Sequence, residues 1–416
     1  MSTTAPATAK ATATATACAA ATGTASAAAT GTATAAAAGA GTTAGIGPAT
    51  GAAPASTAAV AFTGLAALAV AMGVGRFAFT PILPMMLNDA GLSIGEGGWL
   101  ASANYAGYLV GALTAIRLPL SSVAAIRAGL VLISLATLAM GLHPGFAIWL
   151  GLRAVAGMAS AWVLIFVSAW ALGKQAHGGS VFAGVGAGIT AAGGVCLALM
   201  AVPVTSADAW ITFGVASLLV TAAVWHRFGG GPAPPASTGQ TRPASRHWLL
   251  ILCYGGFGFG YVVPATFLPA MARDAIADPL LFGLAWPVFG AAAAVSTVFA
   301  GSFSNQRKVW IAASLVMVLG VLLPLAVAGM TGIIIAAILV GGTFMVITMA
   351  GMQEARRVAS DQARPLMAAM TAAFALGQIA GPLWVSCTGN VASSLLAAAL
   401  VLSASAVALF HDGVRK

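Results

Sequence analysis

From Thr57 onward the chain is a succession of apolar stretches about 20 residues long, each sufficient to cross a hydrocarbon layer of about 30 Å. We place twelve of them, at about 57–87, 99–116, 122–142, 145–172, 181–204, 209–226, 248–271, 280–301, 309–329, 331–352, 365–387 and 390–410. The connections between them are short, so neighbouring stretches must run antiparallel. Of all residues 60% are hydrophobic and 6% charged, whereas a soluble domain carries about 25% charged residues. So few charges cannot cover a water-exposed surface, and a bilayer removes that requirement. The expected fold class is an all-α integral membrane protein with 12 transmembrane helices.

Several function classes drop out. The formal net charge is +9, but the basic residues are scattered as ones and twos between apolar runs. A nucleic-acid binder concentrates them on one face. The four cysteines, Cys18, Cys196, Cys253 and Cys387, have neither metal nor redox spacing. No phosphate-cradling GxxxxGK[ST] motif is present, which excludes an ATP-driven pump domain. With no clustered catalytic groups, the reading is of a non-enzyme without metal or cofactor.

Residues 1–56 are almost wholly Ala, Thr, Gly and Ser, with Lys10 the one charge. They lack the basic and Leu-rich regions of a signal peptide and give a helix no face to bury, so they read as a disordered cytoplasmic tail. Six stretches then fill 57–227, a Gly/Pro/Ser-rich linker spans 228–247, six more fill 248–411, and 412–416 form a short tail. With the N-terminus inside, the inner connections and tails hold fourteen Lys and Arg residues, including Arg117, Arg127, Lys174, Arg307, Arg356, Arg357 and Arg364; the outer ones hold Arg273 alone. Positive charge stays on the cytoplasmic side, so both termini are expected there, in an inner (plasma) membrane. The halves also align at one offset of 185 residues: Gly73 meets Gly258, Pro84 meets Pro269, and Gly157 meets Gly342.

A charge at the centre of a membrane helix costs about 2.5–3.5 kcal/mol on insertion scales, so buried ions mark function. Two stand out, Arg76 in the first stretch and Arg153 in the fourth. Arg76 lies about 19 residues, nearly 30 Å, from the start of its helix. A guanidinium forks onto a carboxylate or phosphate, which would make the pair an anion site. The structural alternatives are that Arg76 binds carbonyls freed at Pro81 or reaches Asp89, and that Arg153 ties its helix to a neighbour. No Asp, Glu or His sits mid-span; Glu354 is at the inner end of the tenth stretch and His143 at the outer end of the third. Glu354 is the one candidate coupling group. The candidate substrate-binding set is Arg76, Arg153, Asn104, Tyr108, Tyr261, Thr266, Thr343 and Gln378, with Tyr105 and Thr348 nearby. The alternative for the neutral members is interhelical hydrogen bonding, worth about 0.6 kcal/mol each. Trp99, Trp210, Trp248 and Trp310 stand at the starts of stretches, where aromatic rings settle at the membrane interface.

Particular motifs carry a family likeness. The first stretch reads GVGRFAFTPILPMM, the second opens GWLASANYAGYLVGAL, and the seventh reads YGGFGFGYVVPATFLPAMARD. The tenth reads GGTFMVITMAGMQEARR and the eleventh AAFALGQIAGPL. Together, over roughly 57–410, these resemble the YbfB/YjiJ-like branch of the major facilitator superfamily. The resemblance implies two six-helix pseudo-repeats with a substrate site near mid-membrane between them, lined by spans one, four, seven and ten. It implies secondary transport of a small organic solute by alternating access, and Arg76 points to an anionic or polar one. Efflux of amphiphilic compounds and a non-transporting receptor on the same fold are the alternatives. The partners implied are the solute and the bilayer, with no nucleic acid and a monomeric chain. Arg153 and Gly157, in RAVAG, are similar to the superfamily's RxxxG pattern. By contrast GALTAIRLPLSSVAAIR lacks the Asp of the usual GxxxDRxGRR loop, and the matching loop GSFSNQRKV is thin.

Overall fold

The computed structural model describes residues 56–142, 145–229, 247–275, 279–327, 329–388 and 390–414. Long helices make up nearly all of them, and no strand occurs among the described residues. In chain order they are α1 (Thr57–Asp89), α2 (Ile94–Ala115), α3 (Ser122–Leu142), α4 (Phe146–Gly173), α5 (Gly178–Met200) and α6 (Ser206–Val224). Then come α7 (Trp248–Ala275), α8 (Pro279–Gly301), α9 (Gln306–Ala326), α10 (Met330–Ala359), α11 (Ala363–Thr388) and α12 (Val391–Val414). Ten of these are long and apolar enough to cross a membrane. The two others are α2, interrupted by Asn104, Tyr105 and Tyr108, and α8, in which Trp286–Gly301 is the apolar stretch whose side chains are described. The expected tail 1–56 and linker 228–247 lie outside the described residues except for Ser56, Phe228, Gly229 and His247. Phe228 is buried against Trp170, ring centroids 5.3 Å apart. At the other end α12 runs on to Val414, into the stretch read as a tail.

Local chemistry sets the helix starts. At α2 the Ser93 hydroxyl accepts from the Glu96 N–H while the Glu96 carboxylate accepts from the Ser93 N–H. Thr205 and Asp208 do the same at α6. Each reciprocal pair satisfies two donors that a helix leaves unpaired at its first turn. Asp89 adds a tertiary bond, accepting from both the backbone N–H and the hydroxyl of Ser206.

The same neighbours recur in each group of six. The first helix packs on the fifth, the second on the fourth, and the third on both the fourth and the sixth. Small residues permit the closest of these approaches: a Cβ on Gly73 would lie 2.5 Å from the Cα of Gly188, so α1 and α5 touch backbone to backbone. The two groups meet along α5 with α8 and along α2 with α11.

Two expectations about tryptophans are corrected. Trp99 and Trp248 are exposed, as an interfacial ring would be, but Trp210 and Trp310 are fully buried. Trp210 stacks on Phe79 and donates to the Met86 sulfur at 3.4 Å, and Trp310 meets Tyr254 edge-on at 5.8 Å. Each lies a full turn or more inside its helix start and turns inward, so packing decides its place.

Candidate functional site

The site begins with an irregularity in α1. Between two α-helical segments, residues Ala69–Phe77 form π-helix. In π-type pairing a carbonyl looks five residues ahead for its donor. For Arg76 that residue is Pro81, which has no N–H. A buried carbonyl without a donor is costly, and other helices supply one. Arg153 on α4 donates from Nη1 to the Gly75 carbonyl and from Nη2 to the Arg76 carbonyl, both at 3.4 Å. Asn104 on α2 donates from Nδ2 to the Gly75 carbonyl at 3.1 Å and to the Arg153 carbonyl at 3.0 Å. Gly157, one turn beyond Arg153, lets α2 and α4 close, since a Cβ there would overlap the Asn104 carbonyl. The RAVAG pattern thus reads physically as a donor for α1 and a notch for α2.

The Arg153 guanidinium is buried, 4.6 Å from the Phe79 ring centroid. It was the structural alternative for Arg76 to bind carbonyls near Pro81; here Arg153 takes them. Arg76 does not turn to Asp89 either, whose oxygens cap α6. Instead Arg76 points between the two groups of six. Its Nη2 donates to Gln378 Oε1 on α11 at 2.8 Å, and its guanidinium carbon lies 4.0 Å from the Tyr108 ring centroid and 5.5 Å from that of Tyr105. The side chain is 5% exposed. Nε has no hydrogen-bond partner, and no carboxylate pairs with Arg76 among the described residues.

Arg76 lines a cavity of about 10 Å³, room for one water. Its wall is otherwise aromatic or thioether-rich: Phe77, Tyr108, Tyr254, Tyr261, Phe344 and Phe374, with Met72 and Met345. Gln378 and Thr348 complete its polar part with Arg76 and the tyrosines. Arg76 and Tyr261, which the 185-residue offset places at matching positions, both face it. The cavity is shut from two directions. Towards the end at which α1 begins, Gly178 abuts the Gln353 amide (a Cβ would lie 2.5 Å from its nitrogen), and the Arg364 guanidinium carbon lies 5.4 Å from the Phe166 ring centroid. Towards the other end Phe77 meets Trp286 at 6.2 Å, and Thr190 on α5 donates to the Pro287 carbonyl at 3.4 Å.

Of the residues expected to bind substrate, Arg76, Tyr108, Tyr261 and Gln378 come together here. Arg153 and Asn104 stand behind them, engaged with α1. Thr343 turns its hydroxyl to its own helix, donating to the Leu339 carbonyl at 2.6 Å. Thr266 falls among α7 residues whose side chains lie outside the described ones, and His143, after α3, lies outside the described residues altogether. Glu354 is elsewhere, near the C-terminal end of α10. It accepts from Arg307 Nε at 2.8 Å and from both Nη2 and Nε of Arg357 at 2.7 Å, while Arg307 also pairs with Asp412 at 2.7 Å. The thin loop before α9 therefore anchors an ion network joining α9, α10 and α12. Sequence reasoning passed over Tyr254, Phe344 and Phe374. Tyr254 had a signal: with Phe257 and Tyr261 it forms an i, i+3, i+7 aromatic stripe on one face of α7.

A family profile described as an uncharacterised MFS-type transporter, YbfB, matches residues 68–412. A crystal structure of a variant of the E. coli fucose:proton symporter superposes with a TM-score of 0.65 at 16% identity, covering 84% of this chain and 98% of that one. No curated protein matches the sequence.

Proposed function

Because the chain belongs to the YbfB family of major facilitator transporters, we propose that it moves a small organic anion across the membrane by alternating access, with Arg76 as the anion-binding residue. One observation carries this reading: an arginine that is 5% exposed, lines the cavity between the halves, and has no carboxylate partner among the described residues. A cation held in such a place is costly unless something of opposite charge visits it. The recurring packing pattern, with the one offset in sequence, supports two six-helix repeats that rock about the cavity. On this reading twelve helices cross a plasma or inner membrane, and the one-sided bias of Lys and Arg supports both termini on its cytoplasmic side. Arg153 and Asn104 hold the π-helical segment of α1, and so hold Arg76 at its height in the membrane. Gln378 reaches across from the second half and links anion binding to the relative position of the halves.

The test is an uptake screen of organic anions in proteoliposomes, with and without a pH gradient, using wild type and Arg76→Ala. Transport should vanish in the variant while membrane insertion is unchanged. Uptake that survives with unaltered affinity would show the anion site to be wrong.

A further inference from the structure

We propose that the anion taken by this cavity is a monocarboxylate with a flat aromatic body; the proposal rests on the anion reading above and narrows it. Two geometric facts carry it. The first concerns the guanidinium. Nε and Nη2 form the lateral edge of an arginine, the edge that grips both oxygens of one carboxylate. Here Nη2 holds the Gln378 amide oxygen at 2.8 Å, and Nε beside it is buried without a partner. The amide oxygen thus marks one carboxylate oxygen position and the lone Nε the other. Arg76 is the sole cation of the lining, so one negative charge is matched.

The second concerns the rings. Trp286, Phe289, Phe344, Tyr261 and Phe374 form a column. Successive ring planes are inclined by 3°, 26°, 15° and 21°, and successive centroids are 5.4, 5.2, 5.0 and 6.4 Å apart. Tyr261, Phe344 and Phe374 of this column line the cavity, and the ring faces left open by their offsets, with the ring edges, give a flat guest offset-stacked or edge-to-face contact worth about 0.5–1.5 kcal/mol beyond area burial. Apart from the hydroxyls of Tyr108, Tyr254 and Tyr261, directional polar groups for a polyol are few. The Thr348 hydroxyl donates to the Phe344 carbonyl, and the Gln378 oxygen is held by Arg76. A sugar presents more hydroxyls than these groups can pair, and buried unpaired polar groups cost about 1–3 kcal/mol each. The cavity admits only a water as it stands, so the guest enters when the halves separate, displaces the Gln378 amide from Arg76, and lies against the column.

The experiment uses the full-length protein in lipid nanodiscs and equilibrium binding of benzoate, cyclohexanecarboxylate, acetate, inorganic phosphate and L-fucose. Benzoate should bind roughly tenfold more tightly than cyclohexanecarboxylate, which has the same charge on a puckered ring. Acetate and phosphate should bind more weakly still. Binding should be lost in Arg76→Gln, checked by an unchanged elution profile. Tyr261→Leu should erase the preference for benzoate over cyclohexanecarboxylate, and Tyr261→Phe should keep it. Arg76-dependent binding in which acetate, phosphate or cyclohexanecarboxylate equals benzoate overturns the aromatic preference and leaves the anion reading standing. Fucose binding without anion binding, or no Arg76-dependent anion binding, overturns both.

Discussion

Replacing Glu354 by Gln separates a structural carboxylate from a coupling one. Glu354 is fully buried and holds Arg307, whose side chain is 7% exposed, at 2.8 Å. Its other partner, Arg357, is 67% exposed, and a pair open to solvent adds only about 0–1 kcal/mol. The loss is therefore dominated by Arg307, which would keep Asp412 at 2.7 Å but lose its buried partner. Removing one member of a buried pair costs up to about 3–5 kcal/mol when the other charge loses its compensation, and Asp412, 24% exposed, compensates Arg307 only in part. At roughly 2–4 °C per kcal/mol for a bundle of this size, unfolding of detergent-solubilised protein should come up to about 6–20 °C earlier. Arg307→Met in the Glu354→Gln background should recover part of that loss, since the buried cation that lost its buried partner is then gone. The surviving transport should keep whatever dependence on a pH gradient the wild type shows. An unchanged unfolding temperature together with loss of that dependence would refute the reasoning and make Glu354 the proton-coupling group.

Asn104→Leu removes the donor that joins α1, α2 and α4, at a cost of about 1–3 kcal/mol in thermal stability and without a charge change; differential scanning fluorimetry reads it, and no shift would deny the clamp on the π-helical segment. Gly178→Cys with Gln353→Cys, in a background free of the native cysteines, should crosslink through a short, reducible bis-thiosulfonate bridge, because the Gln353 side-chain amide packs on Gly178. The crosslink should stop transport and a reductant restore it. Full transport with the crosslink in place would mean that this seam does not open.

The helices were largely legible because bilayer thickness imposes a length on every crossing: the stretch expected at 122–142 is α3, residue for residue, and most other bounds differ by a few residues. Arg76 was legible for a related reason, since a cation in an apolar run announces its cost. The task of Arg153 was not, because π-type pairing leaves no trace in side-chain pattern; Pro81 marked the freed carbonyls, but nothing in the chain order says that α4 approaches them. The same limit hid the Arg307 network, whose members Glu354 and Asp412 lie 47 and 105 residues away. Trp210 and Trp310 misled because position along a helix says nothing of the direction a ring faces. Tyr254 was readable as part of a stripe, but Phe344 and Phe374 belong to the cavity only through the packing of α7, α10 and α11.

Whether the Arg76 guanidinium grips an anion is measured most directly as KM for a transported organic anion in wild type and Arg76→Gln proteoliposomes. A two-pronged, charge-assisted grip worth about 1.5–3 kcal/mol per bond predicts a rise of roughly a hundredfold or more, with equal amounts of folded protein in the vesicles. A KM that stays within a factor of two would contradict it.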